Sequence, residues 1–136
     1  MNKIAVIGAT GGIGRKVVDV ALERDLRVHA LARHPDRLPR NHPELIVFKG
    51  DVRAPETLMP ALAGVEMVIS CLGNRQGEAA VVANGTRHVI ATMRQHGISR
   101  LAMISSIGVG DSGRQLLRLG VAGWTFSVIF ATLLRR

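Results

Sequence analysis

The 136-residue chain is 47% apolar and carries a formal net charge of +8, from 18 Lys and Arg against 10 Asp and Glu. That composition excludes a disordered tail and a collagen-like fibre, and the length fits one domain at about 100–200 residues each. A single cysteine, Cys71, excludes a disulfide scaffold and a cysteine-based zinc finger, and the absence of Tyr excludes any mechanism that needs a tyrosine acid.

The N-terminal MNKIAVIGATGG places glycines where a signal peptide needs a long apolar stretch, so the chain is expected to be unexported and cytoplasmic. Lys3–Ile7 is a short apolar run that ends at Gly8 and predicts a buried strand. Residues 13–24 follow with Ile13, Val17, Val20 and Ala21 at helical spacing. Arg27–Leu31 and Leu45–Phe48 predict the next two strands. Pro55 suits the first turn of a helix that ends near Gly64, and Pro60 inside it predicts a short or kinked one. Glu66–Ser70 is a fourth strand. Residues 78–96 predict a longer helix, with Val82, Val89, Ile90 and Met93 on one side and Gly97 closing it. Leu101–Ile104 is a fifth strand. Strands alternating with helices predict an α/β fold, a doubly wound parallel sheet covered on both faces, in a single domain over residues 1–136.

Residues 119–134 contain no charge. As a helix they would reach about 24 Å against a hydrocarbon core of roughly 30 Å, so no membrane span is expected. Packing on the sheet or on another copy of the chain is expected instead, the latter making a homo-oligomer. Residues 79–136 carry seven Arg against one acid, Asp111. A basic half suits nucleic acid, a solvated face or an anionic cofactor. With aromatics at 3%, too few to stack on bases, nucleic acid is not expected.

The strongest motif is GATGGIG, residues 8–14, between the first strand and the first helix. That context is what a dinucleotide fingerprint requires. Gly8 permits the tight turn, Gly11 and Gly12 let backbone approach a pyrophosphate, and Gly14 lets the helix pack closely. The amides and dipole of the helix start, with the Thr10 hydroxyl, then favour the anion. The fold expected is therefore Rossmann-like, with about five strands and an incomplete C-terminal part, since six complete such a sheet. NAD enzymes carry an acid about 20 residues on, to bond the ribose 2′-OH. Here Arg33 stands nineteen residues after Gly14, Asp36 is the nearest acid, and Arg37 follows. A guanidinium fork suits a 2′-phosphate and an acid would repel it, so NADP(H) is expected. A solvated loop charge is the other reading of Arg37.

GATGGIG, LARHPDRLP (31–39), GDV (50–52), CLGNRQ (71–76) and ISS (104–106) together resemble the atypical short-chain dehydrogenase/reductases. The likeness runs over about residues 1–112, and points to the NAD(P)H-binding branch that includes NmrA-like proteins and the biliverdin-IXβ/flavin reductases. The resemblance implies that Thr10, Gly11, Gly12 and Ile13 hold the pyrophosphate and that Arg33 and Arg37 grip the 2′-phosphate. It places Asp51 and Val52 beside the adenine, and Leu72 and Gly73 near the nicotinamide ribose with Arg75 close by. Ser106, with Ser105 as its neighbour, would flank the nicotinamide as catalytic candidates. Each has a plainer reading: Asp51 as a loop cap, Cys71 as a small buried hydrophobe, Ser105 and Ser106 as the end of a strand. His88 and His96 are expected to be exposed or at a helix end. No His, Cys or acid spacing suggests a metal site.

Most short-chain dehydrogenases exchange the alcohol proton through a Tyr-x-x-x-Lys pair, and this chain has no Tyr and no Lys after position 49. The flavin and biliverdin branch also lacks the pair. The expectation is an NADPH-dependent reductase that passes hydride to a planar conjugated small-molecule acceptor such as a flavin, biliverdin or quinone. The alternative is an NADP(H)-sensing regulatory protein that binds without turnover.

Overall fold

A computed structural model describes residues 2–38, 41–73 and 79–104. Ser105, Ser106, Arg75 and the charge-free stretch 119–134 lie outside the described residues, as does part of the single domain expected over 1–136. Five strands form one parallel sheet: β1 (Lys3–Ile7), β2 (Arg27–Ala32), β3 (Leu45–Lys49), β4 (Met67–Ser70) and β5 (Leu101–Met103). Their order is β3-β2-β1-β4-β5, so the winding direction reverses between β1 and its neighbour β4. In register, Ile7 lies beside Leu31 on one side and Ser70 on the other.

Alternation along the strands sorts side chains to the two faces. Ile4 and Val6 join Val28, Ala30 and Ala32 on the face covered by helix α1 (Gly12–Glu23). Ala5, Ile7, Leu31 and Val68 form the opposite face, with Leu58 and Leu62 from α2 (Leu58–Leu62) and Val89 and Met93 from α3 (Ala79–Gln95). Both faces of the central strands are thus dry, as a parallel sheet requires.

Helix α1 differs from its expected face. The buried positions are Gly14, Val18 and Ala21, whereas Ile13 and Val20 are exposed at 56% and 47%. The helix starts at Gly12 and is seated by Gly14, which turns the Val18 row to the sheet. Pro55–Thr57 forms a 3-10 turn and the α-helix begins only at Leu58. Pro60 then falls in the first turn, where its missing N–H costs no hydrogen bond. On α3, Val89 and Met93 are buried and Val82 and Ile90 half-buried.

Candidate functional site at the carboxyl ends of the strands

The turn from β1 to α1 is built of backbone alone. Gly8 has φ +77°, a left-handed conformation that a side chain would strain, and a Cβ there would lie 2.8 Å from the Cys71 carbonyl oxygen. The ends of β1 and β4 therefore touch where the strand order reverses, the place where open α/β sheets bind ligands. A Cβ on Gly14 would overlap the Gly8 carbonyl oxygen and lie 2.9 Å from Ala9 Cα. Gly14 is required by the turn itself rather than by helix-on-sheet packing, which refines the reading of that glycine. Gly11 N–H donates to Gly8 O at 3.1 Å and closes the turn.

Among the described residues the outer side of the turn is open. A Cβ on Gly12 would meet no atom within 4 Å, and Gly11, Gly12 and Ile13 are exposed. No side chain caps α1 and its first turn carries no acid. The first amides of the helix, which have no acceptor within it, thus lie at an exposed, glycine-lined turn with the positive end of the dipole behind them. That arrangement fits a pyrophosphate.

Beside it lie the ends of β2 and β3. Gly50 N–H donates to Ala32 O at 3.1 Å, so Arg33 and Asp51 leave neighbouring strands together. Arg33 and Arg37 are both exposed, Arg37 at the end of a 3-10 turn over Pro35–Arg37. Asp51 is fixed on two sides. Its N–H donates to Thr57 Oγ1 at 3.1 Å, and that hydroxyl has Ala54 O at 2.7 Å and Asp51 O at 3.0 Å as acceptors. Its carboxylate accepts from Arg53: the backbone N–H reaches Oδ1 at 2.9 Å, Nε reaches both oxygens at 3.1 Å, and Nη2 reaches Oδ2 at 2.6 Å. The Arg53 side chain holds the Asp51 carboxyl below the usual carboxylate range; burial opposes this, and the charges of Arg53 and Arg33 reinforce it.

Val52 is buried in the core. Its carbonyl accepts from His88 Nδ1 at 2.7 Å. His88 is therefore half-buried and ties α3 to the loop after β3, where a solvated helix face was expected. Gly85 allows that approach, since a Cβ there would lie 2.7 Å from Val52 Cγ2. His96 makes a similar tie, from Nε2 to Met59 O at 3.1 Å. Arg53, Thr57 and His88 were not legible as site residues. The spacing D-x-R marked the first only in retrospect.

At the end of β4, Cys71 N–H donates to Ile7 O at 2.8 Å. The Cys71 side chain is half-buried against the α1-side core, and burial pushes its thiol up, away from the reactive thiolate. Leu72 packs partly against the other core, while Gly73 is exposed with open space at its Cβ position. The structure thus brings Gly8–Gly14, Arg33, Asp51 and Leu72–Gly73 to one end of the sheet. Among the described residues no group of three or more His, Cys, Asp or Glu side chains could hold a metal, and no helix is long and apolar enough to cross a membrane.

A family model described as NAD(P)H-binding matches residues 8–131. The chain is 33% identical over 118 residues to sterol-4-alpha-carboxylate 3-dehydrogenase, decarboxylating, from Mus musculus, covering 82% of this chain and 32% of that protein. It is 27% identical over 130 residues to a 3-beta-hydroxysteroid dehydrogenase from Mycolicibacterium neoaurum, covering 86% and 35% respectively. The chain thus spans about a third of the length of these relatives. A Rossmann-fold NAD(P)-binding family protein from Shigella flexneri has the same fold at TM-score 0.68 and 24% identity, covering 82% of this chain and 55% of that one. A short-chain dehydrogenase/reductase from Veillonella parvula solved with NADP has it at TM-score 0.70 and 20% identity, covering 93% and 55%.

Proposed function

The chain belongs to the NAD(P)H-binding family of Rossmann-fold, short-chain-dehydrogenase-like proteins, and we propose that it is an NADPH-dependent reductase for a planar conjugated acceptor of the flavin, biliverdin or quinone class. NADP(H), expected from the sequence, agrees with the family's cofactor. The observation that carries the reading is the uncapped, glycine-walled start of α1 beside a β2 exit that bears Arg33 and no acid. Gly11, Gly12 and Ile13 would hold the pyrophosphate through backbone amides, with Thr10 alongside. Arg33 and Arg37 would hold the 2′-phosphate, where an acid would select NAD(H) instead. Asp51 would accept from the adenine amine, and Leu72 and Gly73 would line the ribose near the nicotinamide, with Arg75 beside them. Ser106, or its neighbour Ser105, would orient the nicotinamide.

The bound cofactor supplies hydride; the protein supplies position. A conjugated acceptor takes its proton from solvent, so orientation carries most of the rate. The dehydrogenase names of the curated relatives suggest sterol alcohols as another substrate class. A second reading is a protein that senses NADP(H) without turnover.

Stopped-flow loss of reduced-nicotinamide absorbance, with and without FMN or a soluble quinone, separates these readings. Acceptor-dependent oxidation of NADPH supports the reductase. Tight NADPH binding with no oxidation supports the sensor. Failure to bind NADPH overturns both.

A further inference from the structure

Two charges of opposite sign leave neighbouring strands side by side, Arg33 after β2 and Asp51 after β3. This creates a problem for an NADP(H) site. A 2′-phosphate carries nearly two negative charges at neutral pH, its second pKa being about 6. A bare carboxylate within about a Debye length of 8–10 Å would repel it. A bare carboxylate would also compete for the Arg33 guanidinium, which is the group expected to receive the phosphate. In the structure the carboxylate is not bare. Both Asp51 oxygens are occupied by Arg53, through Nε, Nη2 and the backbone N–H at 2.6–3.1 Å. The Arg33 guanidinium makes no ion pair with any described residue.

We infer that Arg53 is a positioning residue for cofactor choice: it neutralises and orients the Asp51 carboxylate, which leaves Arg33 available for the 2′-phosphate. The inference deepens the NADP(H) reading and rests on it. Arg53 acts through Asp51 and need not touch the cofactor. Thr57 supports the arrangement by holding the Asp51 backbone in place. Losing Arg53 therefore frees an acid beside Arg33, and the cost falls on the phosphate-bearing ligand more than on its dephospho counterpart.

The test measures binding of adenosine fragments, 2′,5′-ADP against ADP, by calorimetry on the full chain. The variants are Arg53→Gln, Asp51→Asn and the double variant, with a thermal melt of each to establish that it folds. The wild type is expected to prefer 2′,5′-ADP by about tenfold or more. Arg53→Gln is expected to lower that ratio at least about fivefold, and adding Asp51→Asn to restore it to within about twofold of wild type. A wild type with no preference overturns the cofactor reading, and the inference falls with it. A preference that Arg53→Gln leaves unchanged overturns the inference alone. A preference that Arg53→Gln lowers but Asp51→Asn does not restore also overturns it, because Arg53 would then meet the phosphate directly.

Discussion

The two halves of the candidate site are made of different material. The β1–α1 turn presents backbone amides and bare Cα positions, with no charged or capping side chain. The β3 exit presents a side-chain network in which Thr57, Arg53 and His88 secure the Asp51–Val52 segment. A pyrophosphate is bonded by whatever N–H groups can come close, so that half needs small residues at fixed positions. On the proposed reading an adenosine end must be told apart from similar ones, so that half would need groups whose charge and orientation are set. The first half is tight at Gly8 and Gly14 and open at Gly12; the second tolerates substitution at graded cost.

The largest expected effect lies in the glycine turn. Gly14→Ala forces a methyl onto the Gly8 carbonyl and should lower NADPH affinity by about 100-fold or more, together with the melting temperature. Gly12→Ala adds the same methyl to open space, so it should weaken NADPH by about tenfold with an unchanged melt. Calorimetry and melting on the pair read this directly; equal behaviour of the two variants would mean the turn is not the rigid half.

In the side-chain half, Thr57→Ala leaves the part-buried Asp51 N–H without its acceptor and should cost about 1–3 kcal/mol in urea unfolding. NADPH and NADH should weaken alike, since the whole Asp51 backbone is loosened. A selective loss of NADPH would instead place the Thr57 hydroxyl in phosphate recognition.

A smaller effect should appear with pH. His29 is buried in β2, donates from Nδ1 to Ala61 O at 2.9 Å, and lies 4.9 Å from the Phe48 ring. Burial pushes its imidazole below the ordinary value of 6.5; the Ala61 bond opposes this and the Lys3 charge adds to it. The unfolded chain then holds that proton more tightly than the folded one. Stability from this group is fully present above 6.5 and is lost as pH falls from there through the folded value. Urea midpoints taken across that interval should decline in the wild type, and the decline should be shallower in His29→Phe.

The smallest change should come from Arg27→Ala. Arg27 Nε bonds Glu44 Oε2 at 2.9 Å, with the arginine side chain 66% exposed. A surface pair of this kind is worth about 0–1 kcal/mol. Like Arg53–Asp51 it is a solvent-facing arginine–carboxylate pair, but it lies at the opposite end of β2. It should leave the NADPH:NADH ratio untouched, which makes it the control for the Arg53 variants.

The order of elements, the parallel sheet and the glycine turn were legible in the 136 residues. Apolar strand runs and helical periodicity are local signals, and the need for Gly8 is a local backbone constraint written at the residue that bears it. The position of Arg33 at the β2 exit was legible too, because the end of the strand run is also a local signal. The tertiary structure decided what depends on neighbours far along the chain. His88 and Val52 are 36 residues apart and meet only because α3 crosses back over the end of β3. The helix face of α1 rotated toward Gly14, Val18 and Ala21 because Gly14 is pressed against the turn before it, a contact that periodicity does not encode. Asp51 was visible as a candidate, yet whether its charge stands bare or occupied depends on how the chain turns after β3. The folded loop sets that turn, by placing the Arg53 guanidinium on the carboxylate and the Thr57 hydroxyl on the Asp51 backbone.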